Sequence, residues 1–136
     1  MGTPTHSSFR DIDAWRTARR LVRPVYNFTS KFPAHELYCL TQQMRRAVHS
    51  AHPNIAEGSG RLSNGEWQQF LGQARGSLLE IESDVIAAFD LMYCTQTEAA
   101  ELTKLIKKAL QILNGLLRST TRGFKNKKFK PAPVNG

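Results

Sequence analysis

Apolar residues recur along the chain at intervals of three and four in four long blocks, the spacing that lines up side chains on one face of an α-helix. The first block follows Asp13, a good N-cap, and carries Trp15, Ala18, Val22, Val25, Thr29 and Phe32, with Leu21 and Phe28 widening the stripe. Pro24 lies inside it and is expected to kink it, because proline removes a backbone donor and crowds the carbonyl four residues earlier. The second block begins near His35 and carries Leu37, Leu40, Thr41, Met44, Val48, Ala51, Ile55 and Gly58, holding register through Pro53 to about Gly60. On a helical wheel Pro53 points away from this stripe, which favours a bend over a break. A capping box, Ser63-Asn64-Gly65-Glu66, opens the third block, which runs through Trp67, Phe70, Leu71, Ala74, Leu78, Ile81, Val85, Ala88 and Met92. The fourth, capped by Thr95 or Thr97, uses Leu102, Leu105, Ile106, Ala109, Ile112, Leu113, Leu116 and Leu117, and fades around Thr121.

No stretch alternates apolar and polar residues between hairpin turns, so little room is left for a sheet. Long helices joined by short turns predict an all-α fold, an antiparallel up-down-up-down four-helix bundle over residues 13–121. An N-terminal arm, 1–12, precedes it. Residues 122–136, RGFKNKKFKPAPVNG, show no helical period and read as a flexible basic tail.

At 136 residues the chain fits one domain, and 40% hydrophobic with 22% charged residues suits a globular fold. Cys39 and Cys94 lie in apolar segments without a CxxC or Cys/His pattern, so both are expected to be reduced thiols acting as small core residues. The opening MGTPTHSSFRDID has no apolar run of signal-peptide length, and no later segment is apolar enough to span a membrane. A cytoplasmic protein is the expectation.

Charge changes the picture more. The net charge is +8, and five of the 19 basic residues, Arg122, Lys125, Lys127, Lys128 and Lys130, fall in the acid-free tail. Arg16, Arg19, Arg20 and Arg23 crowd the first helix, Arg45 and Arg46 the second, and Lys104, Lys107 and Lys108 the fourth. In the tail, Phe124 and Phe129 interleave with lysines, a composition suited to phosphate contact and base stacking. A polyanion partner follows, because cationic side chains that neutralise phosphates release bound counterions.

Enzyme chemistry finds little support. His49 and His52 would supply only two metal ligands, and no phosphate-loop, dinucleotide, nucleophile-elbow or HExxH pattern is present, so no metal and no cofactor are expected. Glu57 and Asn54 could act as a base and its orienting group, but spacing places no nucleophile beside them. They fall instead on a polar stripe of Arg46, Ser50, Asn54, Glu57 and Arg61, where Glu57 and Arg61 are spaced for a helical ion pair. On the third helix Gly72, Gly76, Ser83 and Ala87 line up opposite the core stripe. Each mid-helix glycine costs ~1 kcal/mol relative to alanine, so close approach of another backbone is expected there.

The segments FPAHELYCLTQ, QMRRAVHSAHPNIAEGSGR and SNGEWQQFLGQARGSLLEIESDV, in that order, resemble the four-helix-bundle proteins encoded in bacterial large-subunit rRNA intervening sequences, over about residues 9 to 120. The resemblance implies a ring-shaped homopentamer with no known enzymatic activity. It also implies kinship with the accessory proteins of diversity-generating retroelements, basic bundles that bind nucleic acid and a reverse transcriptase. The signature positions here are Arg45, Arg46, Asn54, Glu57, Gly58, Arg61, Gly76 and Ser77; His49 and His52 depart from the family pattern. The resulting expectation is a non-enzymatic homo-oligomer that binds RNA through the basic residues named above, with Asn54, Glu57, Gly58, Arg61, Gly72, Gly76 and Ser77 structural or at subunit interfaces. Arg45 is expected to face the polyanion. The alternative is an accessory subunit whose main partner is a reverse transcriptase.

Overall fold

The computed structural model describes residues 8–129, with side chains through residue 121. All regular structure among them is helical: α1 (Asp13–Arg19), α2 (Val22–Thr29), α3 (Leu40–Ser59), α4 (Asn64–Asp90) and α5 (Gln96–Phe129), with short 3-10 turns at Phe9–Asp11 and Ala34–Glu36. These five segments make a four-helix bundle, because α1 and α2 are two pieces of one arm.

Proline accounts for the division. The ring of Pro24 crowds the carbonyl of Arg20, and the chain breaks there, with the Leu21 N–H turning back to the Ala18 carbonyl at 3.1 Å. Pro24 then sits third in α2, where its missing N–H is one of the donors a helix start leaves unused anyway. The expected kink is thus a break, displaced upstream of the proline. Pro53, by contrast, stays inside α3 and is exposed, as its wheel position predicts.

Side-chain caps fix the starts of α4 and α5. The Ser63 hydroxyl accepts the Glu66 N–H at 3.1 Å. Thr95 and Glu98 exchange hydrogen bonds, the Thr95 hydroxyl accepting the Glu98 N–H at 3.1 Å and the Glu98 carboxylate accepting the Thr95 N–H at 2.9 Å. For α1 the cap position is Ile12 rather than Asp13; Asp13 opens the helix and pairs with Arg16 one turn on.

Each arm packs antiparallel to its neighbours. Thr29 meets Arg45, Gln43 meets Asp84, Ser50 meets Ser77, Arg75 meets Asn114 and Lys31 meets Glu98, pairs that run in opposite senses along successive helices. The core between them is Ala18, Leu21, Val25 and Phe28 of the first arm, Met44, Val48, Ala51 and Ile55 of α3, Leu71, Ala74, Leu78, Ile81 and Val85 of α4, and Leu102, Ile106, Ala109 and Leu113 of α5. At the far end of α3, Gly58 is buried, and a Cβ built there would lie 2.6 Å from the Phe70 Cβ and 2.8 Å from the Trp67 Cε3. Gly58 therefore lets α3 and α4 approach closely at this end, while Gly60 ends the helix.

Several stripe positions fall outside the core. Helix α3 starts at Leu40, not near His35, and Leu37 is exposed on the preceding turn. Cys39 is exposed too, so only Cys94, half-buried and with its thiol pushed up by burial, resembles the expected small core residue. Leu105 is 45% exposed and Met92 82%. Helix α5 continues as backbone to Phe129, past the boundary drawn at Thr121, because lysine and arginine are good helix formers and no proline intervenes before Pro131. Residues 130–136 lie outside the described residues.

Met92 ends α4 in the left-handed region, φ 65°, where its N–H reaches the Phe89 carbonyl and the Tyr93 N–H reaches the Ala88 carbonyl, both at 2.9 Å. Glycine enters that conformation without a Cβ penalty. Because the methionine side chain is exposed, Met92→Gly is expected to stabilise the fold by ~0.5–1 kcal/mol, read as a higher urea midpoint at unchanged slope.

Candidate nucleic-acid interface

The first arm and α3 enclose a hollow of about 750 Å³ lined by Arg19, Arg20, Val22, Arg23, Pro24, His49 and His52. No carboxylate lines it. The break at Arg20 contributes to this grouping, since it lets residues on both sides of the corner, Arg19 in α1 and Arg23 in α2, serve one concavity.

An aromatic ladder stiffens its wall. Trp15 meets His52 edge-on at 6.2 Å between ring centroids, His52 lies 6.4 Å from His49, and His49 meets Tyr26 at 5.5 Å, with the Tyr26 hydroxyl and the His49 Nε2 sharing a 2.9 Å hydrogen bond. The Arg19 guanidinium lies 5.6 Å from the Trp15 ring centroid. Burial pushes His52 below the ordinary imidazole value, and the charges of His49 and Arg19 push it the same way, favouring its neutral form. The arginines supply the permanent positive charge of the hollow. The histidines were visible in the sequence as a stripe beside the core, but Tyr26, which bridges them to α2, had no signal of its own.

Arg45 is half-buried on α3. Its Nε donates to the Thr29 hydroxyl at 2.9 Å, and its guanidinium lies 4.4 Å from the Tyr26 ring centroid, so it ties α3 to α2. Arg16 turns away from the hollow to pair with Asp13 and to donate to the Arg10 carbonyl at 2.8 Å. Arg46 lines a separate polar hollow with Ser50, Ser77 and Glu80. Lys104, Lys107 and Lys108 lie on α5, beside a groove with Ile86 and Phe89. Lys125, Lys127 and Lys128 are on the last turns of α5, beyond the described side chains, and Lys130 lies outside the described residues. Of the basic residues singled out in the sequence, the structure gathers Arg19, Arg20 and Arg23.

The polar stripe of α3 forms a seam along α4. Asn54 donates to the Ser50 carbonyl at 2.8 Å and to its hydroxyl at 3.1 Å, and the Ser77 hydroxyl donates to that of Ser50 at 3.0 Å. Glu57 and Arg61 make the 2.7 Å ion pair their spacing predicts, and Arg61 also stacks 4.7 Å from the Phe70 ring centroid. Gly72 and Gly76 are exposed, with no atom of the chain within 4 Å of where a Cβ would sit. Among the described residues, no three His, Cys, Asp or Glu side chains group in a way that could hold a metal ion, and no helix is long and apolar enough to cross a membrane.

Asp84, 7% exposed, faces the same seam, where the Gln43 amide nitrogen lies 3.0 and 3.2 Å from its two carboxyl oxygens. Burial pushes its carboxyl above the ordinary carboxylate value; Gln43 opposes this and Glu80 adds to it. The folded chain therefore holds this proton more tightly than the unfolded chain, and ionised Asp84 costs stability at neutral pH. That cost fades as pH falls through the folded-state pKa. Asp84→Asn is expected to raise the thermal midpoint at pH 7, with a gain that shrinks as the pH approaches ~4.

The architecture defines a four-helix-bundle protein with a cationic hollow beside its broken first arm. More particularly, the chain belongs to the 23S rRNA-intervening sequence protein family, whose sequence profile matches residues 10–115. No characterised protein matches it closely enough to bring a function across.

Proposed function

We propose that the protein is a non-enzymatic, homo-oligomeric nucleic-acid-binding bundle that takes RNA phosphates into the hollow between its first arm and α3. The carrying observation is chemical: Arg19, Arg20 and Arg23 converge on a concavity that no carboxylate lines. Guanidinium groups suit phosphate oxygens, and Trp15, Tyr26 and the two histidines hold the surroundings rigid. A net charge of +8 adds long-range attraction for a polyanion, and the family's name ties it to a ribosomal RNA insertion.

Self-association is part of the reading. Two exposed glycines in the middle of α4 together cost ~2 kcal/mol of helix propensity, and no contact within the chain offsets it. A neighbouring copy approaching that face would, and the ring of five that the family resemblance implies is the assembly we propose. Light scattering is then expected to give five times the 15.3 kDa chain mass. For binding, the test is anisotropy of a labelled single-stranded RNA across a salt series, with the logarithm of affinity falling linearly against the logarithm of salt. No binding at ~50 mM salt would overturn the nucleic-acid reading, and a monomeric mass would overturn the assembly.

A further inference from the structure

A second concavity has the opposite character. Between the C-terminal half of α4 and the N-terminal half of α5 lies a groove of about 810 Å³ whose lining includes Val85, Ile86, Phe89 and Leu105. Ile86 is 60% exposed, Phe89 44% and Leu105 45%, so three large apolar side chains gather here in water. Apolar side chains gathered on one exposed face are a composition suited to docking. Lys104, Lys107 and Lys108 also line it, all exposed, and none has an ion pair among the described residues. Spaced three and four apart on one helix, they repel one another until opposite charge arrives.

The geometry points to this groove as the docking surface for an amphipathic helix of a partner protein, apolar on the face that meets Ile86, Phe89 and Leu105 and bearing carboxylates along the edge that meets the three lysines. Length fits such an occupant: from Gln96 to Gln111 the α5 side of the groove rises ~22 Å, about four helical turns. Two packed helices offer a third one ridges to lie between, and carboxylates spaced three or four apart on it match the spacing of the lysines. Nucleic acid fits less well, because the lining supplies a single aromatic ring, Phe89, for base stacking.

The test uses the full chain and two labelled synthetic helical peptides of about 15 residues with the same leucine stripe, one with glutamates along its edge and the other with lysines there. The glutamate peptide is expected to bind saturably and at least about tenfold more tightly than the lysine peptide. Ile86→Ser with Phe89→Ser is expected to weaken it by about tenfold or more at unchanged helicity. Reversing Lys104, Lys107 and Lys108 to glutamate is expected to invert the preference between the peptides. Equal binding of both peptides, or indifference to the serine pair, overturns the proposal. So does loss of RNA affinity in the serine pair, which leaves the charge unchanged and would assign the groove to nucleic acid. A lower mass by light scattering in that pair would assign it to a second copy.

Discussion

Replacing Arg19, Arg20 and Arg23 together with glutamine is expected to weaken single-stranded RNA binding about a hundredfold at 0.1 M salt. The number follows from counterion release. Each phosphate contact on a single strand contributes about 0.7 to the slope of log affinity against log salt, so three lost contacts flatten it by about 2 units. Carried from a 1 M reference to 0.1 M salt, that difference in slope is about two decades of affinity. All three residues are exposed and lie at or beside the break in the first arm, so the variant is expected to fold. Arg16→Gln makes the internal comparison: its guanidinium is engaged by Asp13 and the Arg10 carbonyl, and its loss is expected to change the slope by well under 1 unit. An unaltered slope in the triple variant would place the RNA elsewhere on the molecule.

Gly58→Ala is expected to destabilise the bundle by about 2 kcal/mol and to lower its thermal midpoint by about 8 °C. The added methyl would meet the Phe70 Cβ at 2.6 Å, an atom fixed to the α4 backbone, so rotating a side chain cannot relieve the clash. Helices α3 and α4 must separate, loosening Trp67 and Phe70 where they pack on Gly58. Alanine's better helix propensity works the other way by ~1 kcal/mol, which keeps the net loss moderate. Gly72→Ala and Gly76→Ala isolate that propensity term, because open space surrounds both positions. Each is expected to raise the stability of the single chain by ~0.5–1 kcal/mol. A Gly58→Ala midpoint equal to that of the parent would refute the close-packing account.

The bundle was legible because its helices are amphipathic over many turns and the core residues follow one periodicity. The capping box at Ser63, the outward Pro53 and the Glu57–Arg61 pair are likewise local, and all appear as the spacing implies. The break at Arg20 was hidden because Ala18, Leu21 and Val25 all reach the core across it, so the apolar stripe reads as continuous. Leu37 fits the wheel of α3 yet is exposed, since a wheel extended past the true helix start assigns faces that do not exist. The contacts of Arg45 are with Thr29 and Tyr26, residues of another helix, and a long side chain can bend back to partners that its own stripe does not contain. The gathering of Arg19, Arg20 and Arg23 around His49 and His52 is tertiary for the same reason.

The divided first arm also sets how the molecule opens. Segments of seven and eight residues are too short to persist as free helices, whereas α3, α4 and α5 run for 20, 27 and 34 residues. The amides of α1 and α2 are therefore expected to trade hydrogen for deuterium through a local unfastening that leaves the three longer helices intact. The arginines of the hollow ride on this least protected part of the chain. A polyanion held there would do more than occupy a surface: it would slow exchange along the whole arm and lend the weakest unit of the fold the persistence that its own length denies it.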